Sequence, residues 1–374
     1  MSIDQVFPEI YQEQLNRKKQ QLEQQFHPFW TKPITAFASE TAHYRMRAEF
    51  KIWHEADTAY YAMYKPGEYK QPFIIESFPV ASKSINQLMP TLLDAINGCD
   101  VLKKRLFQIE FLSSQSGEMV VSLLYHKTLD EHWQMAADRI ANKISISIIG
   151  RSRKQKLVIG NDFVIETLHV GQQNWHYKQI ESSFTQPNAG INEKMINWAL
   201  QHCRNENQGS VSDLLELYCG NGNFTIPLSA CFRQVLATEI SKTSVNAALH
   251  NTAMNQRENI SIARLSSEEI SEALAGKRSF RRLTSAGINI ENYDFSTVLV
   301  DPPRAGLDKT TIDLIRQFDN ILYISCNPET LNKNLELLKA THAVEDFAFF
   351  DQFPYTNHCE CGVKLKSLNR AHNI

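Results

Sequence analysis

Cys326 is the side chain best placed to do chemistry. It closes the apolar run Asn320-Ile321-Leu322-Tyr323-Ile324-Ser325, which reads as a buried strand. Asn327 can then cap a helix that has Pro328 at its first position. A thiol at a strand's C-terminal edge, beside a helix N-terminus, lies where open α/β sheets bind ligands. The positive helix end and its free N–H groups favour thiolate over thiol. The expectation is a nucleophile.

Nucleophilic addition calls for a second acid–base group, and Glu360 lies 34 residues further on, at the start of the last expected strand. Packed among Phe353, Pro354 and Tyr355, its carboxylate would be desolvated, so its pKa would rise and it would act as a base near neutrality. Taken alone, a loop glutamate is the plainer reading. Cys359 and Cys361 flank it, but C-x-C without other close ligands is poor metal spacing, so no metal is expected. His358 reads as structural.

Two further stretches suggest a cofactor. Tyr218-Cys219-Gly220-Asn221-Gly222-Asn223 follows an expected strand, and its glycines allow close approach to the backbone. Thr225 stands where the dinucleotide fingerprint has its third glycine, and no Walker lysine follows. Glu239 ends the next strand, 17 positions after Gly222, where a carboxylate accepts both hydroxyls of a ribose. A nucleoside site without a pyrophosphate grip suits S-adenosyl-L-methionine. Asp301-Pro302-Pro303-Arg304 ends the fourth strand. Its prolines force the chain off the sheet and hold the Asp301 carboxylate at the switch-point crevice.

Methylation of a pyrimidine at C5 unites these parts. That carbon is too weakly nucleophilic to attack a sulfonium methyl. A thiolate adding at C6 places enolate charge on C5, a base later removes the C5 proton, and the thiol is eliminated. The target base must leave its helix or loop to be reached.

The elements that must position these groups fall into two parts. Residues 1–180 form the first: an exposed, Gln-rich helix from Tyr11 to Gln25, then an α+β domain on an antiparallel sheet. Expected strands include Arg45–Trp53, Leu106–Phe111, Met119–Tyr125, Ser145–Ile149 and Lys156–Ile159, with helices over Asn86–Ile96 and Leu129–Lys143. Residues 181–374 alternate helix and strand, which means a mostly parallel, doubly wound sheet. The fold class is α/β.

Length permits two domains, and 43% apolar with 21% charged residues is ordinary for a packed core. No run of 18 apolar residues suggests a membrane span. The N-terminus has no basic region followed by an apolar one, so a secretory signal is not expected. Seven scattered cysteines suit a reducing cytoplasm. Residues 1–180 carry 21 Lys/Arg against 19 Asp/Glu, and residues 181–374 carry 18 against 22. A nucleic-acid partner must therefore be held by local patches. Two stand out, Lys103-Lys104-Arg105 and Arg151-Ser152-Arg153-Lys154-Gln155-Lys156. A solvated face is the plainer reading of either, and phosphate contact the functional one. Tyr44, Phe107, Tyr125 and His126 are candidates for base stacking, though aromatics in a sheet more often form core.

Several stretches together resemble the RNA uracil-C5 methyltransferases, above all the bacterial branch acting on uridine 54 of tRNA. They are Ser183-Phe184-Thr185-Gln186-Pro187-Asn188, Leu217–Phe224, Asp301–Gly306, Ser325-Cys326-Asn327-Pro328, His358-Cys359-Glu360 and, near the N-terminus, Tyr44–Phe50. The resemblance implies a C-terminal class I, Rossmann-like methyltransferase domain that uses S-adenosyl-L-methionine, and an N-terminal RNA-binding domain that grips the T-arm. It implies Cys326 as nucleophile and Glu360 as proton acceptor. It implies cofactor contacts from Gln186, Tyr218, Asn223, Glu239 and Asp301. It shifts the Arg151–Lys156 cluster towards phosphate contact. Relatives acting on ribosomal RNA often carry a four-cysteine iron–sulfur site. Residues 1–200 hold one cysteine, Cys99, so no such cluster is expected. Cytosine-C5 enzymes place a cysteine after a proline where Asp301-Pro302-Pro303-Arg304 stands, which favours uracil. A cytoplasmic monomer acting on tRNA is the expectation. The rivals are the same chemistry on transfer-messenger or ribosomal RNA, and a tRNA-folding binding protein without catalysis.

Overall fold

The computed structural model describes residues 5–65, 67, 72–206 and 212–368. The chain divides into two units. The first holds residues 40–167 and 178–189 besides the extreme N-terminus, and the second holds residues 10–39, 168–177 and 190–374.

In chain order, α1 (Tyr11–Phe26) and β1 (Thr35–Phe37) come first. Next come β2 (Arg47–Glu55), β3 (Thr58–Met63), β4 (Phe73–Ile74), α2 (Lys83–Asn97) and α3 (Asp100–Lys103). Then follow β5 (Leu106–Ser113), β6 (Met119–Tyr125), α4 (Glu131–Ile144), β7 (Ser147–Ser152) and β8 (Gln155–Ile159). Strands β9 (Phe163–Val170) and β10 (Gln173–Ile180) pair as a separate two-stranded sheet.

In the first unit the sheet runs β4-β3-β2-β5-β6-β7-β8. Its pairings are antiparallel except β6 with β7, which run parallel because α4 carries the chain back over the sheet. The expectation of a purely antiparallel sheet is corrected at that one pair. Asp130 caps α4 by accepting from Trp133 N, and the buried Trp133 seats that helix.

The second unit continues with α5 (Ala189–Glu206), β11 (Asp213–Leu217), α6 (Thr225–Leu228), β12 (Val235–Thr238) and α7 (Lys242–Met254). Then come β13 (Ile260–Ala263), α8 (Ser267–Leu274), α9 (Arg281–Ser285), β14 (Phe295–Val300) and α10 (Lys309–Ile315). Strand β15 (Asn320–Ser325), α11 (Pro328–Leu338), β16 (His342–Phe350) and β17 (Glu360–Ser367) finish it. The sheet order is β1-β16-β17-β15-β14-β11-β12-β13. Only β17 runs antiparallel to its neighbours. Strands β11, β14 and β15 are apolar along most of their length and buried on both faces, as a sheet covered by helices requires. From β11 the chain moves outward through β12 to β13, then returns past β11 to β14, so the order reverses and the switch point lies between β11 and β14.

Helix α1 corrects two expectations. It is not an exposed helix, and it does not belong with the N-terminal sheet. Tyr11, Leu15, Leu22 and Phe26 enter the core of the second unit, where the Phe26 ring lies 4.8 Å from that of Phe347. Strand β1 extends the same sheet by pairing in parallel with β16. Gln14 and Lys18 interrupt the apolar stripe and are themselves buried, which disguised the buried face in the sequence.

Candidate active site

The site is built at the C-terminal ends of β11, β12, β14 and β15, together with the start of β17, all within the second unit. Strand β15 ends at Ser325, opposite Cys361 of β17. Cys326, in the bend just past the strand, and Glu360 are the next residues along the two chains, and Glu360 itself pairs with Phe350 of β16. Asn327 caps α11, its side chain accepting from Glu329 N, and Pro328 takes the first position as expected.

The Asp301–Gly306 turn is bolted to the start of α11. The Arg304 carbonyl accepts from Asn327 Nδ2 at 3.0 Å and from Thr330 Oγ1 at 3.3 Å. Gly306 has φ +74°, and a Cβ there would sit 2.8 Å from Asn334 Oδ1, so glycine is required. Asn334 Oδ1 also accepts from Leu307 N at 2.9 Å and from Tyr323 Oη at 2.7 Å. The motif after β14 and the motif after β15 therefore move as one piece.

Electrostatics correct the expected thiolate. Burial first, then the neighbouring Glu360 and Asp301 carboxylates, push the Cys326 thiol up to about 11. Arg304 and the backbone pull the other way but do not win. A helix N-terminus is a weak field next to two carboxylates in a dry site. Glu360 is held well above the usual carboxylate range, by desolvation and then by Asp301, as expected for a base. Desolvation raises Asp301 to about 7. Arg304 was not singled out in the sequence, yet its charge acts on both Cys326 and Glu360.

The glycine loop after β11 is strained where the site needs backbone exposed. Tyr218 has φ +60°, unusual for a residue with a side chain. Gly220 (φ +56°) would carry a Cβ into open space. Glu239 ties this loop to β12, accepting from Gly220 N at 3.1 Å and from Ser241 N at 2.7 Å. Its oxygens keep lone pairs for a diol. Buried Glu216, one residue before the end of β11, was missed because it sits in an otherwise apolar run. Burial raises its carboxyl to about 8, and Asp301 adds to that.

Asn223 is held in place by Asn192 and Tyr177. Its amide forms a reciprocal pair with Asn192, at 2.7 and 2.8 Å, and its carbonyl accepts from Tyr177 Oη at 3.0 Å. Gln186 belongs to the first unit and is half-buried there, two residues after Phe184, which is 76% exposed. Among the described residues no three His, Cys, Asp or Glu side chains group as a metal site, and no helix is long and apolar enough to cross a membrane.

The first unit answers the question of the basic clusters differently. Arg151 donates through Nε at 3.0 Å to Glu181, which is buried, and Lys156 pairs with Asp162 at 2.6 Å. These two cations thus have partners in their own unit while staying about a third exposed. Arg153 and Lys154, at the β7–β8 turn, stay exposed. Phe107 and His126 stack at 4.0 Å in an open groove of about 630 Å³ that Lys127 and Arg153 also line.

The family model described as tRNA (Uracil-5-)-methyltransferase matches residues 10–368. The chain is 54% identical over 364 residues to the tRNA/tmRNA (uracil-C(5))-methyltransferase of Saccharophagus degradans, covering 97% of this chain and 98% of that one. A protein of the same description from Neisseria meningitidis is 54% identical over 359 residues, with 95% and 98% covered. The crystal structure of Pyrococcus abyssi tRNA (uracil-54, C5)-methyltransferase in complex with S-adenosyl-L-homocysteine superposes with a TM-score of 0.71 at 20% identity, covering 95% of this chain and 83% of that one. That likeness is one of fold.

Proposed function

Because this chain belongs to the tRNA (uracil-5-)-methyltransferase family, we propose that it methylates C5 of uridine 54 in the T-loop of tRNA through a transient Cys326–C6 bond. The observation that most supports this reading is that Cys326 and Glu360 directly follow and precede the paired Ser325 and Cys361, with Asp301 near enough for its charge to act on both.

The residues present fit S-adenosyl-L-methionine. Glu216, Glu239 and Asp301 gather carboxylates at adjoining strand ends, and Gly220 leaves open space above the loop. A cationic sulfonium with an ammonium group suits that acidic crevice. Tyr218, Asn223, Glu239 and Asp301 would hold the cofactor. When bound, the cofactor supplies an electrophilic methyl group to C5.

Cys326 Sγ forms a bond to C6 of the uracil as its proton leaves to solvent, which this half-buried side chain still meets. The C5=C6 electron pair moves onto C5 and O4. After C5 is methylated, Glu360 takes the C5 proton. The C–H pair restores the double bond and expels Cys326 as thiolate. Glu360 then returns that proton to Sγ, and both groups are reset. Arg304 offers positive charge to the oxyanion that develops on the ring.

On the first unit we assign the stacked Phe107–His126 pair, Lys127, Arg153 and Lys154 to the RNA. Stacking is sequence-tolerant and the cations meet phosphates. The names of the relatives include transfer-messenger RNA, so the same site is proposed to accept a T-loop there too. The test is nucleoside mass analysis after incubation with methyl donor and unmodified tRNA, transfer-messenger RNA or ribosomal RNA. The expected result is 5-methyluridine in the first two, and none in any of them would sink the reading.

A further inference from the structure

A buried lysine on the N-terminal helix ends its side chain beside the loop that leads into the proposed base. Lys18 is 3% exposed, and Asp351, its partner at 2.7 Å, is fully buried. Lys18 Nζ also donates to the Phe353 carbonyl at 2.9 Å and the His358 carbonyl at 3.0 Å. An ammonium has three N–H groups, and all three are satisfied. A buried charge is tolerated only when paired and hydrogen-bonded in this way.

The placement of the acceptors matters more than their number. Asp351 follows Phe350, the residue paired with Glu360 across β16–β17. His358 lies two residues before Glu360. Lys18 thus draws both ends of the 351–359 loop to one point, and Gln14 of the same helix accepts from Tyr355 N in its middle. Gln25 Nε2 donates to the Pro328 carbonyl at 3.1 Å, and Asn332 Nδ2 donates to the Gln25 carbonyl at 3.1 Å, so α1 also grips the start of α11 behind Cys326. A base on the lip of a loop needs such support to hold its geometry.

We propose that Lys18 is a positioning residue for Glu360, locking the loop that carries the base so that C5 proton removal proceeds while thiol addition does not depend on it. This rests on the assignment of Glu360 as base.

The test compares wild type with Lys18→Met and Lys18→Arg on two T-arm RNAs, one carrying uridine and one 5-fluorouridine at the target. The fluorinated base accepts the thiol and the methyl group but has no C5 proton for Glu360 to remove. The expected result is an unchanged rate of fluorinated adduct for Lys18→Met, with about a hundredfold loss of kcat on uridine RNA, since small misplacements cost that much. Covalent adduct should accumulate on the uridine RNA, KM should hold, and Lys18→Arg should recover most of kcat. Wild-type kcat in a folded Lys18→Met overturns the proposal, as does parallel loss of both readouts. Should Lys18→Met fail to fold, Lys18→Met/Asp351→Asn, which removes the orphaned carboxylate, takes its place with the same readouts. If that variant fails to fold as well, Lys18 is a folding residue and the proposal is overturned. A wild type that forms no fluorinated adduct would instead refute the Cys326 reading, leaving the two failures distinguishable.

Discussion

Cys326 and Glu360 are the next residues along their chains from the last pair of β15 with β17, Ser325 with Cys361, and lie near enough for the Glu360 charge to raise the thiol. A nucleophile and a base so arranged can address the two adjoining carbons of one ring. Losing either should therefore arrest the reaction at a different stage.

Without its thiol the enzyme cannot activate C5. Cys326→Ala is expected to lower turnover by at least about 10³-fold. RNA affinity should stay within about tenfold, about 1.4 kcal/mol. Tritium release from C5-labelled uridine RNA, read beside filter binding, checks both. Normal release in the variant would refute the nucleophile.

Glu360→Gln should stop later, after the ring is bonded. Denaturing gels are expected to show a slow-resolving protein–RNA adduct on ordinary RNA. Methylation that continues with no adduct would remove Glu360 from the role of base.

The acidity of the site sets a pH dependence. The active forms are carboxylate at Glu360 and deprotonated sulfur at Cys326. Both groups are raised, the thiol to about 11, so the active forms gain population as pH increases. The expectation is a kcat/KM that climbs between pH 6 and 9 with no neutral plateau. A flat profile over that range would count against this electrostatic picture.

Glu216 sets a stability dependence of definite sign. Its folded-state carboxyl stands at about 8 against an ordinary 4.5. The stability it contributes is complete below its ordinary range and is lost as pH rises through about 8. Glu216→Gln should leave the protein nearly unchanged at pH 5 and stabilise it at pH 9 by on the order of 3 kcal/mol. Chemical denaturation at the two pH values measures this, and equal effects at both would contradict it.

In the first unit, stability and RNA binding should separate by residue. Arg151→Ala leaves buried Glu181 with Lys156 as its remaining cation, 3.5 Å away, and should cost about 2 kcal/mol in stability. Arg153→Ala/Lys154→Ala should leave stability within about 0.5 kcal/mol and flatten the salt dependence of RNA affinity. Melting curves and binding titrations at several salt concentrations decide it. A reversed pattern would return Arg151 to the RNA.

Much of this protein was readable from local chemistry. Apolar runs ending in Leu217, Val300 and Ser325, with the glycine loop, Asp301 and Cys326 directly after them, determine a parallel sheet with polar groups at its C-terminal edge. These signals lie within a few residues of one another, so the sequence displays them. Tertiary structure decided three matters that depend on residues far apart. The Cys326 thiol was raised first by burial and then by Glu360 and Asp301, groups from other strands of the folded sheet. Arg151 gained a partner in Glu181, 30 residues away. Helix α1, polar enough to suggest a solvated surface, was buried because Tyr11, Leu15, Leu22 and Phe26 meet the distant core, with Lys18 paired to Asp351 from 333 residues away. Burial and pairing are properties of the folded neighbourhood, and no local pattern of residues encodes them.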